Sequence, residues 1–136
     1  MTRSQVKLPR LLAKQMLEHA QGVPELEVCG LLGARRGQVT SVYPVPNTAD
    51  DPTRYFLMEP RGQIDAMRRM RQAGETLFGI YHSHPSTPAQ PSVHDVELAA
   101  YPGVVYLIIS LAKSEAQIGA FYLDGASYKE VALIIY

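Results

Sequence analysis

Apolar side chains recur at the three-to-four-residue spacing of an amphipathic helix in two parts of the chain. The first part opens at Pro9, which is favourable in a first helical turn, and stops at Gly22. The second part covers residues 61–73 and is followed by Gly74, a residue typical after a helix end. These spacings predict two helices, each with one side in the core.

Shorter apolar segments, bounded by glycine, proline and other turn residues, are predicted as strands. They cover residues 28–33, 38–45, 55–58, 76–81, 104–110, 116–123 and 128–136. A third helix is predicted to begin at Ser92, because serine is a favourable N-cap and Asp95 suits the first turn. Strands interleaved with helices, followed by a run of strands, predict an α/β fold in which helices flank one mixed β-sheet. We expect residues 1–136 to form a single domain.

Composition restricts the classes of function. The chain has 13 basic and 13 acidic residues, so no net charge attracts it to nucleic acid or to a membrane, and we expect neither partner. No apolar segment is long enough to span a bilayer. Cys29 is the only cysteine, which excludes an internal disulfide and multi-cysteine metal sites and fits a cytoplasmic protein. The sequence leaves the oligomeric state open, and a homodimer is compatible with it.

The stretch from His82 to Asp95 carries the strongest chemical signal. Side chains two apart on a strand point to the same face, so His82 and His84 can bind one ion. Asp95, eleven residues after His84, is a candidate third ligand. Two histidines and a carboxylate leave one open position on tetrahedral Zn²⁺, as catalytic zinc sites do. We therefore predict one zinc ion per chain.

Simpler interpretations exist for each part of this pattern. Two histidines two apart are often half-buried core residues, and Ser92 with Asp95 has the spacing of a capping box. His94 is a competing ligand, but one helical step rotates its side chain away from that of Asp95, so Asp95 is favoured. The joint pattern of histidines, serine and aspartate is what favours metal binding.

The order His-Ser-His, seven residues, Ser, two residues, Asp, which runs from His82 to Asp95, resembles the His-x-His-x7-Ser-x2-Asp motif of JAMM (MPN+) metalloproteases. Residues 27–33, EVCGLLG, are similar to the Glu-x-Cys-Gly-Leu-Leu segment of bacterial and archaeal members. The chain therefore resembles the stand-alone prokaryotic type of this family. The resemblance implies an MPN domain with a cytidine-deaminase-like layered fold.

By this resemblance, a water completes the zinc coordination and the protein ligands are His82, His84 and Asp95. Glu27 matches the family's catalytic glutamate, which takes a proton from that water and passes it to the leaving amine. Residue chemistry alone does not distinguish Glu27 from a surface glutamate at a strand end, and Glu25 is a competitor for the role. Ser92 matches the serine whose hydroxyl stabilises the oxyanion.

The resemblance implies a zinc-dependent metallopeptidase or isopeptidase that acts at the C-terminus of ubiquitin or of ubiquitin-like sulphur-carrier proteins. We expect the processing of a sulphur carrier for cysteine or cofactor biosynthesis, because the chain lacks room for the insertions of eukaryotic deubiquitinases. The alternative is a catalytically inactive MPN scaffold that serves as a protein-interaction module. A zinc deaminase is disfavoured, because its Pro-Cys-x-x-Cys motif needs two cysteines.

Some chemically active residues fall outside this pattern. Positive charge is concentrated on the second predicted helix, at Arg61, Arg68, Arg69 and Arg71. A solvated helix face is the simplest interpretation of this cluster, and an acidic patch on a partner protein is the alternative. We interpret Cys29 as a small buried hydrophobe, His19 as a surface or packing residue and Ser83 as structural.

Overall fold

A computed structural model describes residues 2–136, and Met1, the first residue of the predicted domain, lies outside the described residues. The strands are β1 (Gln5–Leu8), β2 (Cys29–Arg35), β3 (Gln38–Val45), β4 (Thr76–His84), β5 (Val105–Ser110), β6 (Gln117–Leu123) and β7 (Tyr128–Ile135). The helices are α1 (Arg10–Gly22), α2 (Pro60–Gln72) and α3 (Val93–Glu97). None of the helices in this described part combines the length and apolarity required to cross a bilayer.

The strands form one mixed sheet in the order β1-β7-β6-β5-β4-β2-β3. β1 runs parallel to β7 and β4 runs parallel to β5, while the other neighbours are antiparallel. The sheet curls, so that the guanidinium of Arg3, just before β1, lies 5.1 Å from the ring centroid of Phe78 in β4. The predicted mixed sheet with flanking helices is confirmed.

Side chains of β4 alternate between two cores, one on each face of the sheet. Tyr81 is fully buried in the core that includes α1, where its hydroxyl lies 2.7 Å from Nδ1 of His19. Ile80 belongs to the core on the side of α2. The period of two therefore sends His82 and His84 to the α2 side. Of the two roles open for His19, surface or packing, this contact with Tyr81 favours packing.

Residues 55–58, predicted as a strand, form only an isolated bridge between Met58 and Asn47. The side chain of Asn47 forms hydrogen bonds with backbone groups of this segment that would otherwise pair with a neighbouring strand. Its Nδ2 donates to the Tyr55 carbonyl at 3.1 Å, and its Oδ1 accepts from the Leu57 amide at 2.9 Å. The strand prediction is wrong because the Asn47 side chain supplies these backbone hydrogen bonds and thereby holds the segment as a loop.

The hydrophobic pattern does not predict β1, which has only four residues. This strand pairs in parallel with β7 at the other end of the chain, with Gln5 opposite Ala132 and Leu8 opposite Ile135. Val6 and Leu8 are fully buried. The strand is therefore stabilised by burial and by pairing with a distant part of the chain. Its four residues are too few to show a hydrophobic pattern from which a strand could be predicted.

Glu75 is a buried carboxylate between α2 and β4. It accepts hydrogen bonds from three hydroxyls of β3, those of Thr40, Ser41 and Tyr43. Burial acts to raise the pKa of Glu75, but these hydroxyls and the charge of Arg35 lower it overall. The ionised carboxylate therefore holds β3 against the start of β4.

We expect Glu75→Gln to lower the free energy of unfolding by about 2 kcal/mol at neutral pH, because the three hydroxyls lose a charged acceptor. The folded-state pKa of Glu75 lies below its ordinary value of 4.5. The contribution is therefore complete above that value and is lost as the pH falls through the folded-state pKa. Urea unfolding should show the gap between the variant and the unmodified protein narrowing in acid.

The matched control is Glu18→Gln, since Glu18 is exposed on α1. This substitution should change the unfolding free energy little at any pH. A gap for Glu75→Gln that stays constant from neutral to acidic pH would contradict the role assigned to the ionised carboxylate.

Candidate metal centre

Four ionisable side chains meet at the carboxyl end of β4. β4 supplies His82 and His84, α3 supplies Asp95, and Glu27 lies just before β2. All four are buried, and one potential ligand atom from each lies within 4.8 Å of those of the others. The residues that the sequence singles out as ligands and base are thus brought to one point by three separate elements.

The two histidines and Asp95 form a triangle of donor atoms. The Nε2 atoms of His82 and His84 are 3.1 Å apart. Oδ2 of Asp95 lies 3.2 Å from Nε2 of His82 and 3.1 Å from Nε2 of His84. Ligands on a tetrahedral zinc at about 2.0–2.1 Å are separated by about 3.3 Å. The triangle therefore has the size that a tetrahedral metal ion requires.

The ring of His84 is oriented by a backbone carbonyl, because its Nδ1 lies 2.8 Å from the oxygen of Pro88. A carbonyl only accepts hydrogen bonds, so Nδ1 carries the proton. In the neutral ring, Nε2 then presents a lone pair to the carboxylate of Asp95. Two acceptors at this distance require positive charge between them. The residues therefore fit a divalent cation.

The charges of the site favour a cation in the same way. Burial lowers the pKa of His82. Burial also acts to lower the pKa of His84, but Asp95 and the Pro88 carbonyl raise it overall. Burial acts to raise the pKa of Asp95, yet the histidines and the Ser92 amide hold it well below its ordinary range. Together these groups stabilise positive charge at the centre of the triangle.

Glu27 differs from Asp95 in both hydrogen bonding and pKa. Glu27 is buried, with an exposed fraction of 5%. Its Oε1 finds no hydrogen-bond partner among residues 2–136. Burial raises the pKa of Glu27 to about 7, with His84 opposing the rise and Asp95 adding to it. A carboxyl group with this pKa can take up and release a proton near neutral pH.

The backbone around Glu27 is held from both sides. Oγ of Ser83 accepts from the Val28 amide at 2.9 Å, and the Ser83 amide donates to the Val28 carbonyl at 3.0 Å. On the other side, the Glu27 amide donates to the Pro52 carbonyl at 2.7 Å. Nδ2 of Asn47 donates to the Glu27 carbonyl at 2.9 Å. The structural role predicted for Ser83 is confirmed, and it consists in positioning this segment.

Ser92 and Asp95 form the predicted capping box at the start of α3. Oγ of Ser92 accepts from the Asp95 amide at 3.0 Å, and the Ser92 amide donates to Oδ2 of Asp95 at 2.9 Å. Because Oγ serves the cap as an acceptor, its own proton stays available for another acceptor. Capping and donation to a substrate oxygen are therefore compatible.

The loop that orients His84 is anchored by residues that the sequence does not mark. Ser110 lies opposite His84 in the β4–β5 register, and its hydroxyl donates to the Thr87 carbonyl at 2.7 Å. The Ala89 carbonyl approaches so closely that a Cβ at Gly119 would lie 2.8 Å from it. Ser110 escapes detection in the sequence because its position comes from parallel pairing between distant strands.

An apolar cavity of about 230 Å³ adjoins His82 and Asp95. The ring of Phe56 lines this cavity and stacks on that of His82, with centroids 4.4 Å apart. The remaining lining side chains are mainly apolar and include Met58, Ile80, Leu98, Tyr101, Tyr106 and Leu123. A substrate chain can therefore reach the centre along apolar walls.

The competing residues lie outside the centre. His94 is exposed and lies against Tyr55, with ring centroids 4.6 Å apart. Glu25 is exposed. Cys29 is fully buried, its thiol donates to the Val45 carbonyl at 3.3 Å, and burial raises its pKa to about 12. The predicted role of Cys29 as a small buried hydrophobe is confirmed.

Comparison with known families and proteins supports the same chemistry. The model of the family described as prokaryotic homologs of the JAB domain matches residues 9–122. A desampylase from Haloferax volcanii is 32% identical over 141 residues, covering 99% of each chain. A CysO-cysteine peptidase from Mycobacterium tuberculosis is 34% identical over 101 residues, covering 73% of this chain and 68% of the relative.

Solved structures match over nearly the whole chain. A protein from Desulfitobacterium hafniense superposes with a TM-score of 0.85 at 39% identity, covering 96% of this chain and 92% of its own. A JAB1/MPN domain protein from Archaeoglobus fulgidus superposes with a TM-score of 0.67 at 23% identity, covering 98% and 100%. The second likeness concerns the fold alone.

We expect Asp95→Ala to weaken Zn²⁺ binding by at least about 100-fold. Removing a residue that only hydrogen-bonds to a metal ligand already lowers metal affinity by about 10–100-fold, and removing the ligand itself should lower it further. His94→Ala should retain the metal, since His94 is not among the residues whose ligand atoms meet at the centre. Zinc content after loading with Zn²⁺ and dialysis, measured by inductively coupled plasma mass spectrometry, checks both variants. Circular dichroism verifies that each is folded. If His94→Ala loses the metal and Asp95→Ala keeps it, then His94 is the ligand and Asp95 is not.

Proposed function

The chain belongs to the JAMM metalloproteases, in the family of prokaryotic JAB homologues, and we propose that it is a zinc-dependent metallo-isopeptidase acting on conjugates of ubiquitin-like or sulphur-carrier proteins. The family resemblance seen in the sequence is confirmed. One observation carries the proposal, namely that Glu27, His82, His84 and Asp95 are buried together at ligand spacing. An inactive scaffold has no chemical need to bury four ionisable groups, which costs free energy.

In the proposed mechanism, His82, His84 and Asp95 would hold the metal. When bound, zinc would supply Lewis-acid chemistry by polarising a water molecule and the scissile carbonyl. Glu27 accepts a proton from the attacking water and delivers it to the leaving amine, a task for which a pKa of about 7 is suited. The free hydroxyl proton of Ser92 is donated to the oxyanion that develops on the substrate. The capping box holds Ser92 in place during this step.

The substrate class follows from the relatives and from the cavity. The mycobacterial relative is named for a CysO–cysteine substrate, and the haloarchaeal relative is named a desampylase. We infer for this chain a small ubiquitin-like protein joined through its C-terminus to cysteine or to another amine. Its tail would lie along the apolar cavity beside His82 and Asp95.

We expect Glu27→Gln to lower kcat by about 10²–10⁴-fold while zinc stays bound, because the amide cannot transfer the proton. Glu25→Gln is the matched control, since Glu25 is exposed two residues away, and it should leave kcat unchanged. Single-turnover cleavage and zinc content are measured on the same samples. Full activity in the Glu27 variant would remove Glu27 from the role of base.

The function itself is tested with ubiquitin-like proteins encoded by the same genome, each extended at its C-terminus by cysteine or a short peptide. Mass spectrometry should show release of the extension and a new C-terminus on the small protein. A metal chelator should abolish cleavage, and added Zn²⁺ should restore it. Zinc content near zero in protein purified without chelator, with no cleavage of any conjugate, would support the inactive scaffold.

A further inference from the structure

Arginine side chains cover the solvent side of α2. With about 100° of rotation per residue, four side chains of this helix fall within an arc of about 80°. These exposed residues, called here the arginine stripe, are Arg61, Ile64, Arg68 and Arg71. The opposite side of the helix carries the buried Met70. The stripe therefore presents positive charge to solvent with one apolar side chain among the arginines.

The acidic groups near the arginine stripe are already engaged. Asp65 pairs with Arg69, with Nη1 and Oδ2 4.0 Å apart. The Glu59 carboxylate caps α2 by accepting from the Gly62 amide at 3.2 Å. Across residues 2–136, no ion pair within 4.0 Å involves Arg61, Arg68 or Arg71. A chain with zero net charge thus concentrates unpaired positive charge on one helix face.

The apolar member of the stripe is open to solvent. Ile64 has an exposed fraction of 61%, and it lines a surface groove together with Arg61, Arg68, Glu59 and Asp65. Arginine around an exposed apolar side chain is a composition enriched in protein interfaces.

The helix that carries the arginine stripe, α2, borders the cavity beside the metal centre. Leu57, with an exposed fraction of 58%, lies three residues before α2 and lines the cavity beside His82. Gln63, near the start of α2, lines the same cavity, and its amide donates to the Tyr101 hydroxyl at 3.2 Å. A substrate whose tail occupies this cavity therefore has α2 next to it.

We propose that the arginine stripe is the docking surface for the folded body of the ubiquitin-like protein whose tail occupies the metal centre. The complementary face of that protein carries carboxylates around an apolar patch. This inference rests on the proposed function and adds to it a second contact outside the chemistry. Charge complementarity acts mainly on encounter and on partner choice, so the stripe governs KM and leaves the chemical step unchanged.

The test compares Arg61→Glu/Arg68→Glu with the unmodified enzyme on two substrates that share one scissile bond. The first is the intact ubiquitin-like protein with a C-terminal extension, and the second is a peptide of its last ten or so residues with the same extension, long enough to fill the cavity. We expect KM for the intact protein to rise about tenfold or more with kcat unchanged, since like charges then meet. Both constants for the peptide should stay the same. Raising the salt concentration should weaken turnover of the intact protein by the unmodified enzyme more than by the variant.

The matched control is Arg10→Glu/Lys14→Glu, which makes the same change of net charge on the exposed side of α1, across the sheet from the metal centre. This control variant should have unchanged KM and kcat for both substrates. Replacing carboxylates on the ubiquitin-like protein by lysine should restore KM for the α2 variant.

The outcomes separate the two proposals. If the unmodified enzyme cleaves neither substrate, the proposed function fails. If it cleaves both and the α2 variant has an unchanged KM for the intact protein, the function stands and the docking surface is refuted. An unchanged KM together with loss of binding to a single-stranded oligonucleotide would assign the stripe to nucleic acid and likewise overturn the inference.

Discussion

Cys29 lies opposite His82 where β2 pairs with β4, and this register brings the residues before β2 level with the end of β4. Glu27 enters the metal centre for that reason. The two hydrogen bonds between Ser83 and Val28 continue the contact between the segments just before the first residue of β2. A slip of one residue would turn the strand's side chains to the opposite face of the sheet. The centre therefore depends on this one antiparallel register more than on any single contact within it.

The burial of ionisable groups at this point has a cost that the apolar cores on both faces of the sheet must offset. Most of the polar atoms are partnered, His84 by the Pro88 carbonyl and Asp95 by the Ser92 amide. Among the described residues, Glu27 Oε1 and His82 Nδ1 are left without partners. A buried carboxylate oxygen such as Glu27 Oε1, held in place but left unsatisfied, is typical of a site arranged for a ligand, because the fold supplies its position before the ligand arrives.

The metal centre and the proposed docking surface lie on different elements of the fold. The donor atoms of the metal centre come from the end of β4, the start of α3 and the segment before β2, all within one well-packed region. The arginine stripe lies on the solvent side of α2, where no core packing restrains its composition. An arrangement of this kind lets the partner surface change during evolution without disturbing the catalytic geometry. Charge on α2 can then select among folded partners whose tails the apolar cavity alone would accept.

Features that depend on local periodicity can be predicted from the sequence alone. The period of two places His82 and His84 on one face, and the spacing from Ser92 to Asp95 specifies a capping box and sets Asp95 apart from His94. The helices α1 and α2 follow from their apolar spacing in the same way. Glu27 was reached only through the family motif, because its residue type and its neighbours do not distinguish it from Glu25.

Features that depend on pairing between distant segments become visible only in the folded molecule. β1 exists because β7 pairs with it, and Ser110 anchors the loop beside His84 because β5 lies parallel to β4. Residues 55–58 read as a strand, yet the side chain of Asn47 holds them as a loop. A burial or hydrogen-bond partner that lies far along the chain leaves no periodic signal in the local sequence, so only the folded molecule shows which side chains satisfy one another.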